Sequence, residues 1–362
     1  MINPQTIWYN WEKNLVETID QRYLPFRYLI LEIRTLEDAR FAITEMVVRG
    51  APLIGVTAAY GMYLAACNYS GDDFYEEMLR AAEWLKSSRP TAVNLAFAVN
   101  EALSVISEKC TTTQNKQQLF VFAETLKQRE IEFSKKIGMY GLELIKATSK
   151  SKKSNPVQIL THCNAGRLAT IELGTATAPV YLAHQAGIPV HVWVDETRPR
   201  NQGARLTAWE LAEAGIPYTI IPDNTGGHLM QHNMVDMVIV GSDRTTLNGN
   251  VANKIGTYLK ALAAADNGIP FYVALPSTSI DWNLNDGFTE IPIEQRDGRE
   301  VSMMEGLLDN QVHEFRIIPE KSPIANYGFD VTPARLVTGL ITERGICKAI
   351  REDILNLFPE KK

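Results

Sequence analysis

VQILTHCN (157–164), VHVWVDE (190–196), YTIIPDN (218–224), MVIVGSD (237–243) and FYVALPSTS (271–279) recur along the second half of the chain, and their shared form decides the fold. Each is a short apolar run, rich in β-branched residues, that ends in polar ones, and stretches of helical composition separate them. That rhythm predicts a parallel sheet covered by helices on both faces. In such a sheet ligands bind beyond the carboxyl ends of the strands. A later run, EFRIIP (314–319), reads as a sixth strand. MVIVGSD is expected to run on into a long helix, NGNVANKIGTYLKALAA (248–264), with Lys254 early in it, where the helix dipole does not favour a cation.

Upstream the rhythm differs. β-like runs, LVETI (15–19) and FRYLILEI (26–33), give way to the helical stretches TLEDARFAITEMVV (35–48) and PLIGVTAAYGMYLAACN (52–68). Another helix is expected after Arg89-Pro90-Thr91, begun by the proline. A long amphipathic helix is expected from Lys116 to Thr148, and SKSKKSNP (149–156) reads as a solvated linker. The expected organisation is therefore α/β: a smaller mixed α+β N-terminal domain with the connecting helix (1–150), then a Rossmann-like catalytic domain (151–362).

Bulk properties narrow the function. At 362 residues and 45% hydrophobic, the chain can bury two cores without a staple. A net charge of -6 argues against an electrostatic grip on nucleic acid. Cys67, Cys110, Cys163 and Cys347 are too dispersed for a zinc site, so no metal is expected. No apolar run of about 18 residues suggests a membrane span, and the opening residues lack the apolar core of a signal peptide, so the expected location is the cytoplasm. Neither G-x-G-x-x-G nor G-x-x-x-x-G-K-[ST] occurs, which speaks against a nucleotide; no cofactor is expected.

The proposed strand ends carry His162-Cys163-Asn164, Asp195-Glu196-Thr197-Arg198, Asp223-Asn224, Ser242-Asp243-Arg244 and Ser277-Thr278-Ser279. One polar cluster is only a loop; five in succession would surround a crevice with thiol, carboxylates and guanidiniums. Cys163 is either a buried, inert thiol or a functional one, and Asp243 either caps a helix or transfers protons. Gly166 stands where a helix could open with its N–H groups facing an anion. In VVRGAPLIG (47–55), Arg49 beside Gly50-Ala51-Pro52 suits a phosphate, and Arg89 offers a second guanidinium.

RGAPLIGVTAAYG, SRPTAVNL, ILTHCNAG, VDETRPRNQGARLTAWEL, DNTGGHLM, VGSDRTTLNGNVANKIGTYLKALAA and FDVTP together resemble the S-methyl-5-thioribose-1-phosphate isomerase family, over nearly the whole chain. The same superfamily holds ribose-1,5-bisphosphate isomerases and the regulatory subunits of the eukaryotic initiation-factor exchange factor. The resemblance implies a homodimeric aldose–ketose isomerase of methionine salvage, acting on a small sugar phosphate and binding neither nucleic acid nor membrane. It places the catalytic cysteine on Cys163 and the catalytic aspartate on Asp243. Substrate binding falls on Arg49, Gly50, Ala51, Arg89, Gln202, Asn253 and Lys254.

The chain departs from that family's pattern at NAGRLAT (164–170), where Arg167 adds a charge, and at Ser242 and Asn250. These bear on the sugar's tail: 5-deoxyribose 1-phosphate and ribose 1,5-bisphosphate are the alternative substrates, the latter needing Arg167 or Arg200 for its second phosphate. A non-catalytic sugar-phosphate-sensing subunit is the alternative of another class. Two titratable groups at neighbouring strand ends favour proton transfer over hydride transfer between C2 and C1.

Overall fold

The computed structural model describes residues 5–89, 93–152 and 155–362. Strands β1 (Ile7–Asn10), β2 (Leu15–Ile19) and β3 (Ile30–Ile33) form an antiparallel sheet in that order. Helix α1 (Leu36–Thr44) starts at a capping box, in which the Thr35 side chain accepts from Asp38 N and the Asp38 carboxylate accepts from Thr35 N. Helices α2 (Ala51–Asn68), α3 (Phe74–Lys86) and α4 (Val93–Ser104) follow. The residues expected to open α4, Pro90 and Thr91, lie outside the described residues. Helix α2 is apolar all round, and that suits its place at the centre of a core shared with α1, α3, α4 and the first sheet.

Helix α5 (Thr112–Ser151) is longer than its sequence pattern suggested, because a Thr111–Gln114 capping box starts it earlier. Leu119, Ala123 and Leu126 pack in the α2 core, whereas Ile137 and Ile145 pack beneath the second sheet. The expected linker is only partly a linker: Ser149–Ser151 complete α5, and Lys152 Nζ grips both carboxylate oxygens of Asp236, at 3.0 and 2.8 Å.

The five diagnostic runs are strands β4 (Val157–Thr161), β5 (Val190–Asp195), β6 (Tyr218–Ile221), β7 (Met237–Val240) and, after a hairpin of β8 (Arg244–Thr246) and β9 (Val251–Lys254), β10 (Phe271–Ala274). Helices α6 (Ala178–Gln185), α7 (Ala208–Glu213), α8 (Thr225–Gln231) and α9 (Thr257–Asp266) alternate with them. The remainder comprises β11 (Ile280–Asp281), α10 (Gly287–Glu290), α11 (Arg299–Ser302), β12 (Met303–Leu308), β13 (Gln311–Arg316), β14 (Phe329–Thr332), β15 (Gly339–Thr342), β16 (Gly345–Cys347) and α12 (Arg351–Leu357).

The large sheet runs β16-β15-β10-β7-β4-β5-β6, parallel except for the edge strand β16. Read from β6 to β15, its six parallel strands have the doubly wound order 3-2-1-4-5-6. Successive residues serve opposite cores: Ile159, Met237 and Ile239 face α5 and α6, while Leu160, Val238 and Val240 face α8 and α9. The chain reverses its winding between β4 and β7, which opens a crevice at their carboxyl ends.

Two expectations fail. EFRIIP contributes only Glu314–Arg316 to β13, which pairs with β12 in a separate hairpin. The Asp309-Asn310 pair, both at positive φ, is the turn that forces it, and Phe315 is 46% exposed instead of sheet-buried. The late sheet strands are β15 and β16. Nor does MVIVGSD lead directly to a helix: Asn248-Gly249 turns β8 back into β9, with Gly249 at φ 81°. A Cβ there would stand 2.1 Å from the Ala349 carbonyl oxygen, so only glycine fits.

Candidate active site

Cys163 leaves the end of β4 in the left-handed region, at φ 65°. Thr197, from the loop after β5, is also left-handed at φ 66°, an uncommon state for a β-branched residue. Hydrogen bonds fix both. Cys163 N donates to Thr197 Oγ1 at 2.9 Å, and Cys163 O accepts from Thr207 Oγ1 at 2.7 Å. Thr197 N in turn donates to Asp223 Oδ1 at 2.7 Å. Asp243 leaves β7, and its N donates to Ala252 O on β9 at 3.0 Å. Cys163 and Asp243 thus flank the crevice from strands on either side of the reversal, and both line one cavity.

All nine residues singled out in the sequence line that cavity: Cys163 and Asp243 with Arg49, Gly50, Ala51, Arg89, Gln202, Asn253 and Lys254. One end of it is the start of α2. Gly50 is the N-cap residue at φ 87°, and no side chain caps the helix there. The first-turn N–H groups and the helix dipole are therefore free to meet a phosphate. Two other turns beside the crevice are closed. Asp330 accepts from Gly256 N and Tyr258 N at the start of α9. Glu210 accepts from Arg167 N and Leu168 N, so the turn after Gly166 faces the protein's own carboxylate, not a ligand.

Arg49, Arg89 and Lys254 are buried. Burial pushes each below its ordinary basicity, against the pull of Cys163 and Asp243 for Lys254, of Cys163, Glu210 and Asp243 for Arg49, and of Glu294 and Asp243 for Arg89. Burial likewise pushes the Asp243 carboxyl up, and Lys254, Arg89 and Arg49 pull it back only in part. It pushes the Cys163 thiol up too, against Arg49 and Lys254. In every case desolvation outweighs attraction to the neighbouring charges. Burial thus shifts every one of these groups towards its neutral form, and an incoming dianion would favour the charged forms of Arg49, Arg89 and Lys254. Arg49 Nε, Arg89 Nε and Gln202 Oε1 are buried without a hydrogen-bond partner, as groups awaiting a ligand would be.

Supporting residues hold these groups. The Arg49 guanidinium donates to Asn164 O at 3.0 Å from two nitrogens and to Asn164 Oδ1. Asn164 Nδ2 donates to Glu210 Oε1 at 2.8 Å, and Tyr181 OH to Glu210 Oε2 at 3.0 Å. A second network ties β4 to the β9–α9 turn: His162 Nδ1 lies 2.8 Å from Asp195 Oδ2, and Nε2 2.8 Å from Ile255 O. His162, Asp195 and Asp223 gather potential ligand atoms within 4.8 Å, but Lys260 Nζ, 3.1 Å from Asp195 Oδ2, already supplies a positive charge there. Lys254 sits on β9, not early in a helix; its Nζ donates to Gly328 O at 2.9 Å and lies 4.7 Å from the Phe329 ring centroid. In the last strand-end cluster, Thr278 Oγ1 donates to Glu130 Oε1 at 3.1 Å.

Residues 47–349 match the model of the initiation factor 2 subunit family. The methylthioribose-1-phosphate isomerase of Desulfosudis oleivorans is 53% identical over 358 residues, covering 98% of this chain and 97% of that protein. That of Sinorhizobium medicae is 54% identical over 361 residues, with 98% and 97% covered. The chain belongs to the methylthioribose-1-phosphate isomerase family. Among solved structures, the 5-methylthioribose 1-phosphate isomerase of Pyrococcus horikoshii matches with a TM-score of 0.84 and 38% identity, covering 99% of this chain and 96% of that one. A structure titled translation initiation factor eIF-2B, subunit delta, from A. fulgidus matches at 0.79 and 36%, covering 98% and 99%.

Family membership gives the departures noted in the sequence their setting. The Arg167 guanidinium lies 5.2 Å from the Trp209 ring centroid, and Arg200 pairs with Glu300 at 3.0 Å. The sequence reading gave Glu210, Glu294 and Phe329 no role, and Thr197 only a place in a strand-end cluster. Only Glu210 left a signal, as a carboxylate in the otherwise apolar helical stretch LTAWELA (206–212).

Proposed function

We propose that this chain isomerises S-methyl-5-thio-α-D-ribose 1-phosphate to S-methyl-5-thio-D-ribulose 1-phosphate, the aldose–ketose step of methionine salvage. The observation that carries the reading is the placement of Cys163 and Asp243 on either side of the winding reversal, facing an uncapped helix start and three buried cations. Arg49, Lys254 and the Gly50-Ala51 backbone hold the 1-phosphate. Arg89, Gln202 and Asn253 fix its remaining oxygens or the hydroxyls.

The phosphate on O1 prevents spontaneous ring opening, so the ring oxygen must be protonated. Asp243, whose carboxyl burial pushes towards its protonated form, donates to it, and the C1–O4 bond breaks. The hydrogen on C2 then moves to C1, and the C2 hydroxyl proton returns to the Asp243 carboxylate, leaving the C2 ketone. Two titratable groups alone favoured proton transfer. A thiol that burial keeps neutral is a poor base, and this favours direct movement of hydride in a pocket that Cys163 helps keep dry. Turnover in deuterated water is then expected to leave C1 of the ketose unlabelled; deuterium at C1 would point back to proton transfer.

The reading extends to a cytoplasmic homodimer with domains at 1–150 and 151–362. No helix among the described residues is long and apolar enough to cross a membrane, and the β12–β13 hairpin leaves Leu307 and Leu308 half-exposed, which suits a subunit contact. Comparing kcat/KM on methylthioribose 1-phosphate, 5-deoxyribose 1-phosphate and ribose 1,5-bisphosphate tests the substrate. The first should lead. A lead for the bisphosphate would overturn the reading, and inactivity on all three would favour a sensing subunit.

A further inference from the structure

Cys163 and Lys254 line one cavity from different elements, and one buried side chain that the mechanism leaves unused joins their supports. His162 precedes Cys163 at the end of β4 and is buried. Its Nε2 lies 2.8 Å from Ile255 O, the carbonyl that follows Lys254 in the chain. A carbonyl only accepts, so Nε2 carries the hydrogen and donates it. On the other side of the ring, Nδ1 lies 2.8 Å from Asp195 Oδ2. The imidazole also accounts for Gly256. At φ 104°, with a Cβ that would stand 3.0 Å from His162 Cε1, glycine lets the turn close onto the ring.

The turn that receives the Nε2 bond is knitted within itself. Asn253 Nδ2 donates to Thr257 Oγ1 at 2.9 Å, and Thr257 Oγ1 donates to Lys254 O at 2.7 Å. Bonds to Asp330 and Gly328 tie this block to β14, the partner strand of β9; the imidazole ties it to the parallel sheet. Asn253 and Lys254 ride on the block into the cavity. The Asp195 side is held as firmly. Lys260 Nζ, from the helix that the same turn opens, lies 3.1 Å from Asp195 Oδ2 and donates to Asp223 O. The Asp223 carboxylate accepts from Thr197 N, and Thr197 Oγ1 accepts from Cys163 N.

We infer that His162 is a positioning residue: its Nε2–H bond to Ile255 O sets where Asn253 and Lys254 stand against the end of β4, and so sets the grip on the phosphate. The inference rests on the reading of Lys254 as a phosphate ligand given above. His162 is not among the residues lining the cavity, so it acts through the turn and not on the sugar.

Two amide replacements separate the two bonds of the ring. Counted along the side chain, the amide nitrogen of asparagine stands where Nδ1 stands, and that of glutamine where Nε2 stands. His162→Asn therefore keeps the contact with Asp195 and loses that with Ile255; His162→Gln does the reverse. Binding of inorganic phosphate, by titration calorimetry, is read beside KM and kcat for methylthioribose 1-phosphate. His162→Asn should weaken phosphate binding and raise KM, each by about 10-fold, with kcat within about 3-fold of the parent. His162→Gln should hold all three within about 3-fold. A residue that only stabilises the fold would shift both variants alike, so equal changes in the two, or none in either, would overturn the inference. Each variant also decides alone if the other does not fold: parental phosphate binding in His162→Asn, or binding about 10-fold weaker in His162→Gln, contradicts it. A parent that binds phosphate and shows this pattern but turns over no sugar would sink the isomerase reading and leave the inference standing. A parent that binds no phosphate would overturn it together with the role of Lys254.

Discussion

Asp243 has three cations around it and still holds its proton more tightly than an ordinary carboxyl, because burial outweighs them. As an acid it works while protonated, so kcat/KM should decline as pH rises through its elevated folded value. The same shift bears on stability: the folded state binds the extra proton, so stability contributed by this group is present at low pH and is lost as pH rises through the folded value. A pH–rate profile that keeps climbing on the alkaline side would contradict an acid role. Gly50 gives a prediction of another kind. At φ 87°, with the Ala169 carbonyl oxygen 2.3 Å from where a Cβ would stand, Gly50→Ala should cost about 2–5 kcal/mol in urea unfolding. It should also raise KM, since the start of α2 would shift. Arg49 and Gly50 were expected beside a helix start, and both line the cavity there, at the start of α2. Lys254 lines the same cavity but from β9, not from a helix, since the Asn248-Gly249 turn was passed over.

Between elements, two carboxylates unlinked to the chemistry in sequence hold the crevice together. Glu210 on α7 accepts from Asn164, Arg167, Leu168 and Tyr181, and Asn164 in turn orients Arg49. Glu210→Gln, with one acceptor oxygen exchanged for a donor, should lose about 1–3 kcal/mol of stability and raise KM more than it lowers kcat. Unchanged KM would detach Glu210 from Arg49. Glu130 on α5 is buried against Thr278, and burial pushes its carboxyl up to about 7, with Glu343 adding to the effect. Folded Glu130 thus binds a proton between its ordinary value of 4.5 and about 7 that the unfolded chain releases. Stability should fall as pH rises through that window, and Glu130→Gln should flatten the slope, by on the order of 3 kcal/mol at most. Identical pH–stability curves for parent and variant would exclude this. Glu130 was not legible, because a buried acid on a helix and a solvated one share the same local sequence; Glu210 left only the trace of a carboxylate within the apolar stretch 206–212.

Across the whole molecule, the parallel sheet was legible because strands buried on both faces must be almost continuously apolar, as MVIV is throughout and VQIL is apart from Gln158. Its C-terminal edge was not. β15 and β16 are brief, while EFRIIP has strand composition but follows a two-residue turn that pairs it locally. Nor could sequence show that α5 serves both cores, since its pattern states which face is apolar and not what covers it. The winding reversal brings together residues as far apart as Arg49 and Lys254, and the central claim is that this crevice performs acid-assisted isomerisation through Asp243. The most direct test is single-turnover conversion of methylthioribose 1-phosphate by Asp243→Asn, followed by NMR beside equilibrium binding of the same sugar. The account predicts binding within a few-fold of the parent and conversion slower by about 10²–10⁴-fold. Conversion at near-parental rate by the folded variant would contradict it.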